Sequence, residues 1–378
     1  MNSFTLMHQD KEVAEISIGK DEHGNSCLHV SRVIDEFELP YGVKSADEMD
    51  IDDMLTRWND SRTIPLGRPN YIQILESLNA KNTSELVPMS FMCSLTDCYW
   101  FKPEGLNVTW ANVNFRDNGF NSNLYKHLFF DANNEPINNL HSPDLTTDGA
   151  LPKMWEQYCG DFYLLKSSLG NMPMDVYNEI IANAVFEQLG IEHVEYTLRK
   201  LETCNASACK CFIESNDLEF VPAENLLLDG YYRSTADYLE TMKSFGYQDS
   251  VNAMILGDMI IGNVDRHARN YGQIVDAQTQ NIVRLAPIFD HGGCDLIHDI
   301  SFQNYKPTQT TFAKTLEGLD KETLALVKNI DTKAIAELVN NLPIDDSRKT
   351  TIMHNLNARI EKVLELERGQ EYDFGREQ

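Results

Sequence analysis

The chain has 378 residues, and its 32 Lys and Arg against 58 Asp and Glu give a formal net charge of −26 at pH 7. Apolar residues make up 42% of it, which is enough for a substantial core and excludes an intrinsically disordered protein. The acidic excess argues against nucleic acid and anionic membrane surfaces as direct partners, because both are bound through Lys and Arg. The length is typical of about two domains.

Targeting signals are not evident in the sequence. The first residues lack a basic stretch followed by an apolar block, and the most apolar stretch, residues 253–264, is too short to span a membrane and is interrupted by Asp258. We therefore expect a soluble, cytoplasmic protein. The eight cysteines are too few for a disulfide scaffold, and the spacing within 204–211 fits no common zinc pattern, so we expect reduced thiols.

Residues 1–138 combine short strands and helices. Alternating polarity predicts a strand over 12–18, and amphipathic spacing predicts helices over 51–58 and 70–78. A polar stretch with two prolines, 133–143, is interpreted as a linker or surface loop. This part is expected to form an amino-terminal accessory α/β region.

The remainder divides into a strand-rich segment, 139–215, and a mainly helical segment, 216–378. The first is predicted to contain a helix over 177–189 and strands over 161–166, 196–201 and 210–214. The second is predicted to contain helices over 235–245 and 250–261, a hairpin with arms 271–275 and 282–289, and two or three helices after Asp320. A strand-rich lobe followed by a helical lobe indicates a bilobal α+β arrangement.

A cluster of oxygen ligands is predicted around the hairpin. Asp265 and Asn270 precede its first arm, and Asp290 follows its second arm. Because a hairpin returns to its starting end, these three side chains can converge. Two carboxylates and an amide oxygen suit Mg²⁺ better than zinc.

A lysine closes one of the predicted strands. Lys166 shares a strand face with Phe162 and Leu164, so its ammonium needs an anionic partner, and Glu179 on the next helix is a candidate. A strand lysine, a helix glutamate, an Asp-x4-Asn loop and an Asp after a hairpin match the arrangement used for phosphoryl transfer. Each feature alone is commonplace, as turn chemistry or a surface ion pair, and their order and context favour the functional interpretation.

These motifs resemble the HipA-like serine/threonine kinases, the bacterial toxin-type kinases. The resemblance rests on Lys166, Asn178-Glu179, the block 265–270 and the segment 286–290, and it covers roughly residues 140–378. Residues 146–153 look like the phosphate loop of that family. Residues 1–138 are expected to depart from its usual amino-terminal subdomain.

The resemblance implies a kinase-like fold, ATP and Mg²⁺ as cofactors, and transfer to Ser or Thr of a protein, including the chain itself. It implies Asp265 as catalytic base, with Lys166 contacting ATP phosphates and Glu179 positioning that lysine. The other implied nucleotide-site residues are Thr146, Thr147, Gly149 and Lys153 in the phosphate loop, Phe212, Ile213 and Glu214 in the adenine hinge, His267 in support, and Asn270 and Asp290 on the metal. An antitoxin-like partner is typical of the family, although no helix-turn-helix segment is evident in this chain.

The sequence thus predicts a bilobal Ser/Thr protein kinase that autophosphorylates at Thr146 or Thr147. A turn-capping role for Thr146 is an equal alternative. Two other functions stay open: a small-molecule kinase and a non-catalytic pseudokinase that binds a partner. The complete set of Asp265, Asn270 and Asp290 argues against a pseudokinase.

Overall fold

The computed structural model describes residues 3–44, 50–68, 71–120, 140–168, 174–227 and 234–374. The strands are β1 Ser3–His8, β2 Lys11–Lys20, β3 Ser26–Val33, β4 Tyr99–Pro103, β5 Lys153–Tyr158, β6 Asp161–Lys166, β7 Tyr196–Lys200, β8 Asn205–Lys210, β9 Leu218–Pro222, β10 Gly272–Asp276, β11 Ile282–Leu285, β12 Asn304–Tyr305 and β13 Thr310–Thr311.

The helices are α1 Tyr41–Lys44, α2 Ile51–Ser61, α3 Tyr71–Ser77, α4 Trp110–Val113, α5 Phe115–Asn118, α6 Met174–Leu189, α7 Ala223–Leu227, α8 Thr235–Met242, α9 Gln248–Ile261, α10 Phe312–Glu317, α11 Lys321–Ala325, α12 Thr332–Asn341 and α13 Asp346–Phe374. Short 3₁₀ helices cover Thr83–Met89, Pro143–Thr146 and Leu326–Asn329, and the kinked segment Lys243–Tyr247 joins α8 to α9.

The chain folds into two compact units. The first unit comprises 1–169, 208–231 and 273–284, and the second comprises 170–207, 232–272 and 285–378. Segments that are distant in sequence therefore join within each unit. The predicted division into three consecutive segments stays a prediction.

The first unit is built around an antiparallel sheet with strand order β3-β2-β1-β4. Its core includes Leu6, Ile16, Met54 and Phe101, all of them buried. The predicted strand over 12–18 lies within β2, and the two predicted helices correspond to α2 and α3, so these predictions are confirmed. Of the predicted linker, residues 133–139 lie outside the described residues.

The first unit also contains the antiparallel hairpin β5–β6 and a sheet of order β11-β10-β9. The predicted strand over 161–166 is confirmed as β6. The predicted strand over 210–214 is wrong, because the strand is β8 and ends at Lys210. Small residues on both faces of β8 (Ala206, Ser207, Ala208 and Cys209) are buried, so the strand has no alternating hydrophobic pattern.

The second unit is mainly helical. Its long α9 is buried along almost its whole length and packs against α6, α11 and α13. The chain kinks between α8 and α9 at Gly246, whose positive φ of 91° lies outside the helical region. The helices predicted over 177–189 and 250–261 are confirmed as α6 and α9. None of the described helices is both long and apolar enough to cross a lipid bilayer.

Candidate active site

The loop that carries Asp265 begins at a glycine that no other residue can replace without strain. Gly262 ends α9 in the left-handed conformation, with φ of 69°. A Cβ at this position would lie 2.4 Å from Nη1 of Arg359 and 2.7 Å from the carbonyl oxygen of Asp295. The chain can therefore turn sharply from α9 into residues 263–270.

A buried ion pair fixes this loop to α9. The guanidinium of Arg266 donates to both carboxylate oxygens of Asp258, with Nε–Oδ2 at 2.9 Å and Nη2–Oδ1 at 2.8 Å. Both side chains have no exposed surface, and the hydroxyl of Tyr305 also donates to Asp258, at 2.6 Å. Burial alone would lower the pKa of Arg266, but Asp258 outweighs it and raises that pKa above its ordinary value.

The same arginine joins the loop to the segment that carries Asp290. Nη1 of Arg266 donates to the carbonyl oxygens of Asn270, at 2.8 Å, and Phe289, at 2.6 Å. One side chain thus holds the end of the Asp265 loop and the residue before Asp290.

Asp290 itself adopts an unusual backbone conformation. Its φ is 58°, in the left-handed region, and its N–H donates to the hydroxyl of Tyr196 at 3.0 Å. Asn178 on α6 holds the following turn by donating to the carbonyl oxygens of Gly292 and Cys294, at 2.9 and 3.0 Å. Contacts on both sides therefore maintain a conformation that an aspartate adopts only at a cost.

The second predicted hairpin arm, 282–289, is shorter than expected. Strand β11 ends at Leu285, because Pro287 has no N–H for a ladder. Ile288 instead pairs with the segment before β7, accepting from Val194 N–H at 2.9 Å and donating to Glu192 at 3.1 Å. This change of partner directs the chain towards Asp290.

Asp265 lies beside the Asp290 segment. A Cβ at Gly293 would lie 2.7 Å from Cβ of Asp265, so only glycine allows this approach. Burial lowers the pKa of His267, and the carboxylates of Asp265 and Asp290 act in the opposite direction. One imidazole is thus close enough to both carboxylates to sense their charge.

The side chains of this cluster are oriented by specific contacts. The amide nitrogen of Asn270 donates to the carbonyl oxygen of Asp265 at 3.1 Å, and no described residue donates to its amide oxygen. Oδ1 of Asp265 lies 2.6 Å from Nζ of Lys306, and about half of each side chain is exposed. The second unit therefore places the Asp265 carboxylate next to an ammonium and the Asn270 amide next to the Asp265 backbone.

Glu179 belongs to the second unit, on α6, and is only 1% exposed. Its carboxylate accepts a hydrogen bond from the hydroxyl of Ser207. Lys166 belongs to the first unit and is 3% exposed, so a buried cation closes β6. The pairing of Lys166 with Glu179 stays a prediction.

The predicted phosphate loop lies wholly in the first unit. Nζ of Lys153 donates to the carbonyl oxygen of Asp148 at 2.9 Å, and Gly149 has a φ of 104°. A Cβ at Gly149 would lie 2.0 Å from that ammonium. Thr146 and Thr147 are both buried, and their hydroxyls donate to the carbonyl oxygens of Cys93, at 2.6 Å, and Pro143, at 2.7 Å.

The predicted adenine hinge lies just after the end of a strand, and its role stays a prediction. Phe212, Ile213 and Glu214 follow β8 without continuing it, because β8 ends two residues earlier than Phe212. The carbonyl oxygen of Ile213 accepts from Nη2 of Arg116.

The eight cysteines are free thiols.

Sequence reasoning missed the residues that hold the site together. Asp258 is the clearest example. A lone carboxylate within an apolar helix requires a buried partner, but Asp258 was used only to argue against a membrane-spanning segment. Arg266 lies inside the recognised motif but was given no role. Tyr196 and Lys306 carry no local signal.

Comparison with known proteins places this geometry in a structural context. No protein-family model matches the chain, and no curated protein does so at the sequence level. The structure of HipA from Shewanella oneidensis MR-1, solved with HipB and operator DNA, matches with a TM-score of 0.59 and 15% identity, over 96% of this chain and 99% of that one. The chain has a HipA-like fold.

The predicted α+β, kinase-like fold is thereby confirmed. The HipA-like fold covers more of the chain than residues 140–378, so the expected departure of residues 1–138 is wrong at the level of the fold: most of them lie within the matched 96%. The Helicobacter pylori proinflammatory kinase CtkA also matches, with a TM-score of 0.49 and 20% identity, over 59% of this chain and 95% of that one.

Proposed function

We propose that this protein is an ATP- and Mg²⁺-dependent protein kinase that phosphorylates Ser or Thr. The observation that carries the proposal is the arrangement of Asp265, Asn270 and Asp290. Arg266 donates to the carbonyl oxygens of Asn270 and Phe289, and so joins the Asp265 loop to the segment that carries Asp290. The HipA-like fold supports a kinase-like function. Phosphoryl transfer depends mainly on positioning and electrostatics, and a buried ion pair under the loop supplies rigidity.

In this proposal Asp265 accepts the proton of the attacking hydroxyl. Its carboxylate is half exposed and so accessible to a protein substrate. Lys306 holds one carboxylate oxygen and leaves the other to orient the hydroxyl. Lys166 and Lys153 contribute positive charge for ATP phosphates.

Asn270 and Asp290 would hold Mg²⁺, which when bound neutralises charge on the phosphate oxygens. The donor set fits this ion, because the Asn270 nitrogen is engaged and its oxygen accepts from no described residue. Among the described residues no group of three or more His, Cys, Asp or Glu is placed to hold a metal alone. Water and phosphate oxygens would complete the coordination, as is usual for magnesium.

The test is incubation with labelled ATP and Mg²⁺, followed by mapping of phosphorylated residues on the protein itself and on candidate substrates. Asp265→Asn is expected to lose transfer by orders of magnitude with an unchanged melting temperature. Asp346→Asn is the matched control, because Asp346 is almost fully exposed at the start of α13. Equal transfer by the wild type and Asp265→Asn would refute the proposal, and label found only in metabolites would redirect it to a small-molecule kinase.

Autophosphorylation at Thr146 or Thr147 forms part of the proposal. Both hydroxyls are buried, so the loop must open before either reacts. An antitoxin-like protein partner is also proposed, since the matched HipA was solved with HipB and operator DNA. Direct DNA binding by this chain is not proposed, given its charge of −26.

A further inference from the structure

An arginine outside the predicted kinase lobes binds the phosphate loop. Arg68 follows α2 in the amino-terminal accessory region and is 2% exposed. Its Nη2 donates to the carbonyl oxygens of Thr147, at 2.7 Å, and Gly149, at 2.9 Å, and its Nε donates to Gly149 at 3.0 Å. These bonds span about 80 residues of sequence and lie within the first unit.

Together with Lys153, this arginine engages three consecutive carbonyl groups. The ammonium of Lys153 takes the carbonyl oxygen of Asp148, between the two that Arg68 takes. In a trans peptide the N–H points opposite to the preceding carbonyl. The N–H groups of Asp148 and Ala150 therefore point away from the Arg68 guanidinium. Backbone amides fixed in this way form the kind of site that binds phosphate oxygens.

The environment of Arg68 is costly for a residue that serves packing alone. Burial lowers the pKa of Arg68 to about 10, and the carboxylates of Asp148 and Asp144 act against that decrease. Its Nη1 is buried without a hydrogen-bond partner among the described residues. A hydrophobic side chain would fill the same space without these penalties.

We propose that Arg68 is a positioning residue for nucleotide binding, through which the accessory region holds the phosphate loop in the conformation that receives ATP. This inference rests on the proposed function and deepens it. The accessory region would then contribute to ATP affinity and not merely brace the fold.

The experiment compares Arg68→Ala and Arg68→Lys with the wild type. Arg62→Ala is the matched control, because Arg62 lies in the same region, is largely buried and donates to Asp97 and to the carbonyl oxygens of Met92 and Tyr99, none of which belongs to residues 146–153. MgATP affinity is measured by calorimetry, and KM and kcat are measured with the protein substrate. Hydrogen exchange of amides 148–150 reports the loop directly.

Arg68→Ala is expected to weaken MgATP binding about tenfold or more, the usual consequence of losing charge-assisted hydrogen bonds. The MgATP affinity of Arg68→Lys should lie between those of the wild type and Arg68→Ala, because one ammonium cannot reproduce the three hydrogen bonds of the guanidinium. The KM for ATP should rise, the KM for the protein substrate should not, and amides 148–150 should exchange faster. Arg62→Ala should lose stability while retaining MgATP affinity.

Two results would overturn the inference. One is unchanged MgATP affinity in Arg68→Ala, and the other is an equal loss in Arg68→Ala and Arg62→Ala. If Arg68→Ala does not fold, Arg68→Lys provides the test. Wild-type exchange rates of amides 148–150 in Arg68→Lys would show that Arg68 does not hold the phosphate loop, and would refute the inference. A wild type that binds no MgATP would instead refute the proposed function.

Discussion

Lys153 and Lys166 occupy directly opposed positions in the β5–β6 hairpin. Both are almost completely buried, with exposures of 6% and 3%. Opposed like charges destabilise a strand pair, and buried ammonium groups require anions nearby. The two ammonium groups therefore extend from the same face of the hairpin, and in the proposed function both serve the phosphates of ATP.

Replacing either lysine should therefore weaken nucleotide binding. Lys153→Gln and Lys166→Gln are each expected to lower MgATP affinity by about ten- to a hundredfold, because each removes a charged hydrogen-bond donor from the phosphates. Calorimetry measures the effect. Lys210→Gln is the control, since Lys210 lies on β8 with its ammonium half exposed and paired with Asp161. Unchanged affinity in both lysine variants would contradict a phosphate site here.

Gly149 offers a second test of the phosphate loop. Gly149→Ala should lower MgATP affinity, because the new Cβ would meet the Lys153 ammonium at 2.0 Å and displace it. Gly160→Ala in the β5–β6 turn is the matched control: its φ is also positive, at 88°, but no atom lies within 4 Å of the added Cβ. Both variants should lose about 1 kcal/mol of stability from backbone strain. Only Gly149→Ala should affect nucleotide binding, and an equal effect would argue against the loop assignment.

Lys306 should matter for turnover more than for stability. Its ion pair with Asp265 is half exposed, so Lys306→Gln is expected to change the free energy of unfolding by less than about 1 kcal/mol. The kcat should fall about tenfold, because the Asp265 carboxylate loses the contact that orients it. The KM for ATP should stay constant. Lys314→Gln, an exposed change on α10, is the control, and a wild-type kcat in Lys306→Gln would remove Lys306 from the site.

The buried pair of Arg266 and Asp258 should dominate the stability of the second unit. Arg266→Met leaves the Asp258 carboxylate buried and uncompensated, a loss of about 3–5 kcal/mol in the free energy of unfolding. The double variant Arg266→Met/Asp258→Leu should lose less than the single variant. Urea denaturation measures both, with Arg348→Ala, which breaks a partly exposed pair with Asp345, as control. A double variant less stable than the single one would contradict this explanation.

The first unit should show a pH-dependent stability centred on His8. This buried imidazole lies 2.6 Å from a carboxylate oxygen of Glu38 and 3.1 Å from one of Glu219, with Lys11 also paired to Glu38. Burial would lower the pKa of His8, but the two carboxylates outweigh it and raise that pKa above 6.5.

Because the folded state binds this proton more tightly, its stabilising contribution is complete below about pH 6.5 and is lost as the pH rises through the folded pKa. The melting temperature of the wild type should therefore decrease between pH 6 and pH 9. In His8→Gln this decrease should be smaller, and scanning calorimetry compares the two proteins. An identical slope would show that His8 does not bind the extra proton.

Patterns in the sequence predicted much of the fold, because the periodic burial of a helix or strand is visible in the spacing of neighbouring apolar residues. The i, i+4 spacing of Ile181 and Val185 gave α6, and alternation gave β2. Strand β8 escaped detection because small residues fill both of its faces. The motif residues Asp265 and Asn270 were identifiable from their spacing, whereas Arg68 and Tyr196 act on segments many residues away and leave no local pattern.

The inward orientation of the Thr146 and Thr147 hydroxyls has a consequence for timing. A kinase acting on either residue would modify only molecules in which residues 146–147 have opened and exposed the hydroxyl. The phosphorylation rate would therefore depend on how often this loop opens. A phosphorylated threonine oxygen has no hydrogen to donate, so the bond to its carbonyl partner would not form again. The hydrogen bonds to Cys93 and Pro143 would therefore set the rate of autophosphorylation, through the free energy needed to open the loop.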